Sequence, residues 1–162
     1  GRILYFSAIA NDSDQELWRT DGTPAGTNLV KDINLHLYPW GTGASDPLFI
    51  TDVNGVGFFN ATDGTAGREL WSTYGTEAGT AMVADIFPGP GSSDPRWLVA
   101  GNGTLFFTAN DGIHGRELWA LSVPESIPAM SGMQILVLMG CLSVAGVVMI
   151  RWFKLGTDKG SF

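Results

Sequence analysis

Three glutamates stand at one place in a recurring pattern. Glu16, Glu69 and Glu117 each open a Glu-Leu-Trp triplet, at spacings of 53 and 48 residues. Two aspartates, Asp32 and Asp85, recur 16 residues behind the first two. Carboxylates in such a pattern have two kinds of chemistry open to them. They can gather as calcium ligands or as an acid/base pair. They can also accept hydrogen bonds from backbone N–H groups and brace a loop in every copy. A reacting group needs to occur only once, whereas a scaffold residue recurs with its scaffold. Glu16, Glu69, Glu117, Asp32 and Asp85 are therefore assigned to the scaffold, and no catalytic residue is expected.

The turns near these acids are rich in oxygen. One reads Asp63-Gly64-Thr65-Ala66-Gly67 and the next Asp111-Gly112-Ile113-His114-Gly115. Calcium takes about 6–8 oxygen ligands, and each turn offers one carboxylate. The first copy has Ala10-Asn11 in place of Asp-Gly. These stretches read as plain turns, and neither a metal nor a cofactor is expected. His36 has no nucleophile or second ligand nearby in the sequence. Cys141 is the single cysteine, which excludes a disulfide framework and a cysteine zinc site.

The aromatic residues fall into two groups. Trp18, Trp71 and Trp119 recur in register and are expected in the core between repeats. Tyr38 and Trp40 lie in a loop outside the repeat. Amphipathic rings in such a loop can stack on a sugar or a protein partner, or fold back onto their own sheet. They are the candidate ligand contacts.

The chain that positions these residues has 162 of them, 44% hydrophobic and 15% charged, with 22 glycines. That apolar content excludes a disordered chain. A net charge of −7 argues against a nucleic-acid partner, which needs a basic face. The charge is divided unevenly. Residues 1–125 carry six basic and fifteen acidic side chains, and residues 151–162 carry three basic and one acidic.

Between Glu125 and Arg151 there is no charge at all. Residues 130–150 read MSGMQILVLMGCLSVAGVVMI. As a helix they would span about 31 Å at ~1.5 Å per residue, the thickness of a bilayer core. A transmembrane α-helix is expected there, with the basic tail 151–162 on the cytoplasmic side and the N-terminal part outside. The chain opens on Gly1 with no export signal before its first strand-like run, Ile3 to Ser7. It therefore reads as the C-terminal fragment of a longer exported protein.

Residues 1–121 repeat. Phe6, Phe59 and Phe107 each precede a repeat glutamate by ten residues. The two copies of the connecting segment differ by five residues. The difference falls between Ile33 and Asp46, and an insertion confined to one loop suits a repeat architecture. Each unit reads as four short strands: Asn28 to Ile33 or Ala81 to Ile86, then Leu48 to Val53 or Arg96 to Ala100, then Val56 to Ala61 or Thr104 to Ala109, then Arg68 to Thr73 or Arg116 to Leu121. Asn54-Gly55 and Asn102-Gly103 mark tight hairpins. Runs such as Leu105-Phe106-Phe107 put apolar side chains on both faces, which predicts sheets covered on both sides. The expected fold is all-β: a partial β-propeller of four-stranded antiparallel repeats, about two and a half blades, followed by the transmembrane helix. A β-solenoid is the alternative.

The stretch Glu16-Leu17-Trp18-Arg19-Thr20-Asp21-Gly22-Thr23, with its partial copies at Glu69 and Glu117, resembles the ELWxxDGT repeat of bacterial surface proteins. The resemblance covers residues 3–121. It implies a propeller-type repeat in an exported protein and no catalytic residues. In the linker, 122–129, Ile127-Pro128-Ala129-Met130-Ser131 is similar to IPTL-type C-terminal sorting signals. Ile127, Pro128 and Ser131 carry that likeness, with Ala129-Met130 replacing Thr-Leu.

The function expected is non-enzymatic: a membrane-anchored surface protein presenting its repeats to an extracellular protein or carbohydrate. The alternative is a propeller-based hydrolase or lyase acting on polysaccharide.

Overall fold

The structure is a computed structural model that describes residues 2–9, 14–39 and 41–124. Those residues form strands and turns, with no helix among them. Sheet 1 is β1 (Leu4–Ile9), β2 (Gln15–Thr20) and β3 (Asn28–Lys31). The inserted loop makes a small hairpin, β4 (Leu37–Tyr38) with β5 (Gly41–Thr42). Sheet 2 is β6 (Leu48–Val53), β7 (Val56–Thr62), β8 (Arg68–Thr73) and β9 (Thr80–Ala84). Sheet 3 is β10 (Arg96–Gly101), β11 (Thr104–Asn110) and β12 (Arg116–Ser122). Neighbouring strands in every sheet are antiparallel and consecutive, so each sheet is a meander.

The hairpin signals act as their chemistry requires. Asn54 and Gly55 have φ of 54° and 83°, and Asn102 and Gly103 have 49° and 68°. Both central residues of each turn are thus left-handed, the conformation that matches the twist of the flanking strands. Asp63 and Asp111 each accept a backbone N–H two residues on, from Thr65 at 2.8 Å and Ile113 at 2.9 Å. Such side-chain turns compete well with regular structure.

The grouping of strands corrects one expectation. The segment read as opening a unit, Ala81 to Ile86, closes one instead. Thr80–Ala84 pairs with β8, and β3 likewise pairs with β2. The turn at Gly75–Gly79 is short enough to bring β9 back beside β8. The long connection lies after β9, where Pro88, Pro90, Pro95 and two glycines leave no strand.

The expectation that all sheets are covered on both sides holds for one of them. Phe58 and Phe59, adjacent in β7, point to opposite faces and are 4% and 0% exposed. Phe59 joins Leu17, Val30, Ile33, Ala61 and Trp71 between sheets 1 and 2. Phe58 joins Val53, Leu70, Leu105, Phe107 and Trp119 between sheets 2 and 3. The repeat equivalents of Phe58 and Leu70 in sheet 3 are Phe106 and Leu118, and these are 40% and 42% exposed. Only the middle sheet is sandwiched; sheet 3 turns one apolar face outward because no further sheet in the described chain lies on it.

Polar contacts cross the stack as well. Arg19 Nη1 donates to Gly75 O at 2.8 Å and Lys31 Nζ to Thr80 O at 3.0 Å, joining sheets 1 and 2. Thr51 Oγ1 donates to Leu98 O at 3.1 Å, joining β6 to β10. Asn54 Nδ2 donates to Val123 O at 2.8 Å across sheets 2 and 3, while within sheet 3 Val123 N donates to Gly103 O at 2.7 Å. β6 and β10 both contain a register shift, between Leu48 and Thr51 and between Arg96 and Val99. The bulged residues Phe49 and Trp97 have φ of 57° and 58°, and their rings meet with centroids 6.0 Å apart. A bulky residue with positive φ is costly, and it recurs here at one repeat position.

The expected linker residues Ile127, Pro128 and Ser131, the span 130–150 and the tail 151–162 lie outside the described residues. Among the described residues no helix is long and apolar enough to cross a membrane.

Candidate functional site

The repeat glutamates sit at the second positions of β2, β8 and β12, and Glu16 and Glu69 each face a connection that leaves the sheet. Glu16 and Glu69 are fully buried. Glu16 Oε2 accepts the backbone N–H of Ile33 at 3.1 Å and the hydroxyl of Ser45 at 2.5 Å, and Oε1 accepts the N–H of Ser45 at 3.0 Å. Glu69 does the same with Ile86 at 3.0 Å and with Ser93 at 2.8 Å and 2.5 Å. The connections between sheets carry buried N–H groups outside the strand ladders, and the carboxylate accepts from them; the Ser45 N–H is shared with Gln15 O at 3.1 Å.

Burial outweighs those hydrogen bonds in setting the charge. It pushes the Glu16 carboxyl up to about 7, with a smaller contribution from the nearby Asp14 charge. Glu69 is raised for the same principal reason. Asp32 is raised by burial and by Asp14. Asp14, Glu16 and Asp32 bring carboxylate oxygens within 4.8 Å of one another, and one oxygen of Asp32 is buried without a hydrogen-bond partner among the described residues. Asp85, at the equivalent position, is exposed and accepts the N–H of Gly89 at 3.1 Å. The two aspartates thus share a sequence position without sharing an environment, because Gly67 stands where the first copy has Asp14.

Glu117 is half-buried. No hydrogen bond to its carboxylate is made by the described residues. It lies instead with Asp111 and His114, whose ligand atoms and its own are within 4.8 Å of one another. Reading the turn as plain missed this cluster. Its signal was present in the sequence as an Asp, His and Glu spaced three apart.

The tryptophans differ by copy. Trp71 and Trp119 are 6% and 5% exposed, and Trp18 is half-buried. Each pairs across its hairpin with the repeat phenylalanine: Phe6 with Trp18, Phe59 with Trp71, Phe107 with Trp119. Trp119 Nε1 donates to Ala109 O at 3.2 Å, whereas Nε1 of Trp18 and of Trp71 are buried without an acceptor among the described residues.

Tyr38 belongs to β4, and Trp40 lies outside the described residues. A cleft of about 370 Å³ lies between the inserted loop and the β7–β8 turn, lined by Asn34, Gly43, Ala44, Thr62, Gly64, Thr65, Gly67 and Pro90. No charged side chain lines it. The structure brings no acid of the repeat into this cleft.

No protein-family model matches the sequence, and comparison with curated proteins and with solved structures finds no significant match.

Proposed function

We propose that this chain is the membrane-held end of an exported surface protein of the ELWxxDGT repeat type, which presents a β-propeller for binding and does no chemistry itself. The observation that carries this reading is the occupation of the repeat carboxylates. Glu16 and Glu69 spend their oxygens on backbone N–H and serine donors at equivalent places, which is the behaviour of a scaffold. In the same reading Trp71 and Trp119 are scaffold core, and Glu117 holds the third copy's position without the loop bonds of the other two.

The propeller reading draws on the stacking of successive meanders and on the direct bond between their first strands, Thr51 to Leu98. Further units of the same repeat would cover Phe106 and Leu118 as sheet 3 covers Phe58 and Leu70. The membrane reading draws on the uncharged span 130–150 and its basic tail, a pattern that would leave the repeats outside the cytoplasm. Ile127, Pro128 and Ser131 would then lie just outside the bilayer as a sorting signal. The partner is an extracellular protein or carbohydrate held through Tyr38 and Trp40; the acidic repeat region disfavours nucleic acid.

The full chain in liposomes, offered a panel of immobilised polysaccharides and extracellular proteins, tests the proposal. Retention that falls in Tyr38→Ala and Trp40→Ala, with the polysaccharides recovered intact, is the expected result. Release of new reducing ends or unsaturated oligosaccharides would overturn it in favour of an enzyme.

A further inference from the structure

We propose that the β11–β12 turn is a surface site for a zinc-type divalent ion, bound by Asp111, His114 and Glu117. The three residues lie on one hairpin, where Asn110 pairs with Arg116 and Ala109 with Glu117. Asp111 and Glu117 therefore flank the turn and His114 crosses its tip. Their ligand atoms are mutually within 4.8 Å. Asp111 Oδ2 is already 2.7 Å from His114 Nδ1. Ligands at about 2.0–2.2 Å from a tetrahedral zinc ion sit roughly 3.4 Å from one another, so small rotations of side chains suffice. The His114 side chain is 60% exposed and the turn stands in water, which leaves an entry path and room for solvent at the remaining coordination position.

Comparison within the chain shows that the turn does not need the histidine. The preceding copy builds it with Ala66: Asp63 Oδ1 accepts the N–H groups of Thr65 and Ala66, each at 2.8 Å. Asp111 Oδ1 accepts those of Ile113 and His114 at 2.9 and 2.8 Å in the same way. His114 adds an imidazole to a turn that is complete without one. The glutamate also differs. Glu69 is buried and fully engaged by its loop, while Glu117 has no such engagement among the described residues and turns to the cluster.

The donor set selects the ion. Two carboxylates fall well short of the roughly 6–8 oxygens that calcium takes. One imidazole nitrogen with two carboxylates suits zinc and its neighbours in the first transition row.

Isothermal titration of the full chain in detergent with Zn2+ alone decides the matter. One ion per chain is expected, unaffected by millimolar-range Ca2+ at about a thousandfold excess, a margin set by the mismatch in ligand number. His114→Ala and Glu117→Gln should each weaken binding about tenfold or more, the scale on which even outer-shell changes act. Circular dichroism should stay unchanged, since Ala66 supports the same turn. His36→Ala should leave binding intact. Absence of uptake, uptake unchanged in His114→Ala, or loss in His36→Ala would each overturn the site.

Discussion

Ser93 grips the carboxylate of Glu69 from both sides. Its backbone N–H reaches Oε1 at 2.8 Å and its hydroxyl reaches Oε2 at 2.5 Å. One serine thereby occupies both oxygens, and Ser45 does the same to Glu16. The clamp fixes the path of the chain as it passes from one sheet to the next.

Removing the clamp should be costly. Glu69→Ala strands the N–H groups of Ile86 and Ser93, at about 1–3 kcal/mol for each buried group left unpaired, and leaves the Ser93 hydroxyl only its longer contact to Arg68 O at 3.4 Å. The expected loss exceeds about 3 kcal/mol in urea denaturation of the detergent-solubilised chain, against about 1 kcal/mol for Ser93→Ala. Glu117→Ala, measured in the absence of metal, should change stability by under about 1 kcal/mol, because the half-buried carboxylate braces no loop N–H among the described residues.

Stability should fall as pH rises through neutrality. The Glu16 carboxyl is about 7 in the folded chain and Glu69 is also raised, so the native state holds protons that the unfolded state has released. Between the ordinary carboxylate range and about 7 the native chain binds more protons, and unfolding free energy declines with pH. The contribution is complete below the unfolded value and lost above about 7. Melting at pH 5 should therefore lie above melting at pH 8, and Glu16→Gln should flatten the difference. Asp63 and Asp111, whose carboxyls are lowered by turn hydrogen bonds, act in the opposite sense, and only as pH falls below the ordinary carboxylate range.

Trp71→Ala should destabilise by about 3–5 kcal/mol through lost burial and a cavity. Trp18→Ala should cost less, because Trp18 is half-buried and less of its ring leaves an apolar environment. Equal losses at the two positions would contradict the asymmetry of the stack.

Gly67→Ala should damage the fold locally. Gly67 has φ of +70°, and a Cβ there would stand 2.0 Å from Gly91 O. Both the backbone conformation and the clamped connection resist it, so a loss above about 1 kcal/mol is expected. Gly22→Ala, where a Cβ meets nothing, separates the two causes, since only the φ penalty remains.

The proposed span 130–150 predicts that the chain stays in the membrane pellet after carbonate extraction. Protease added outside should digest the repeats and spare the tail after Arg151. Release by carbonate would remove the basis for the anchor.

Much of the strand layout was legible because the turns announce themselves. Asn54-Gly55 and Asn102-Gly103 place two hairpins, and the Phe-to-Glu spacing anticipates cross-strand pairs such as Phe59 with Trp71. The grouping of strands was harder to read. A repeat can be cut anywhere along its period, and nothing in Thr80–Ala84 itself says whether it pairs backward to β8 or forward to β10. The glutamates could be suspected of bracing loops, but their partners Ser45 and Ser93 lie 29 and 24 residues away, beyond any local pattern. The bulges at Phe49 and Trp97 were hidden for a further reason. Aromatic residues at positive φ run against their own backbone preference, so local propensity points away from them.

The exit of the chain from sheet 3 has a mechanical consequence. A pull applied beyond Val123 loads β12, an edge strand, at the open end of its hairpin, where rungs would unzip one at a time. Val123 does not hang from that hairpin alone, because Asn54 grips its carbonyl from the turn of the neighbouring sheet. Tension arriving there would be split between two sheets before the first rung at Ser122 gives, so a pull from that side would meet a brace already set at the point of strain.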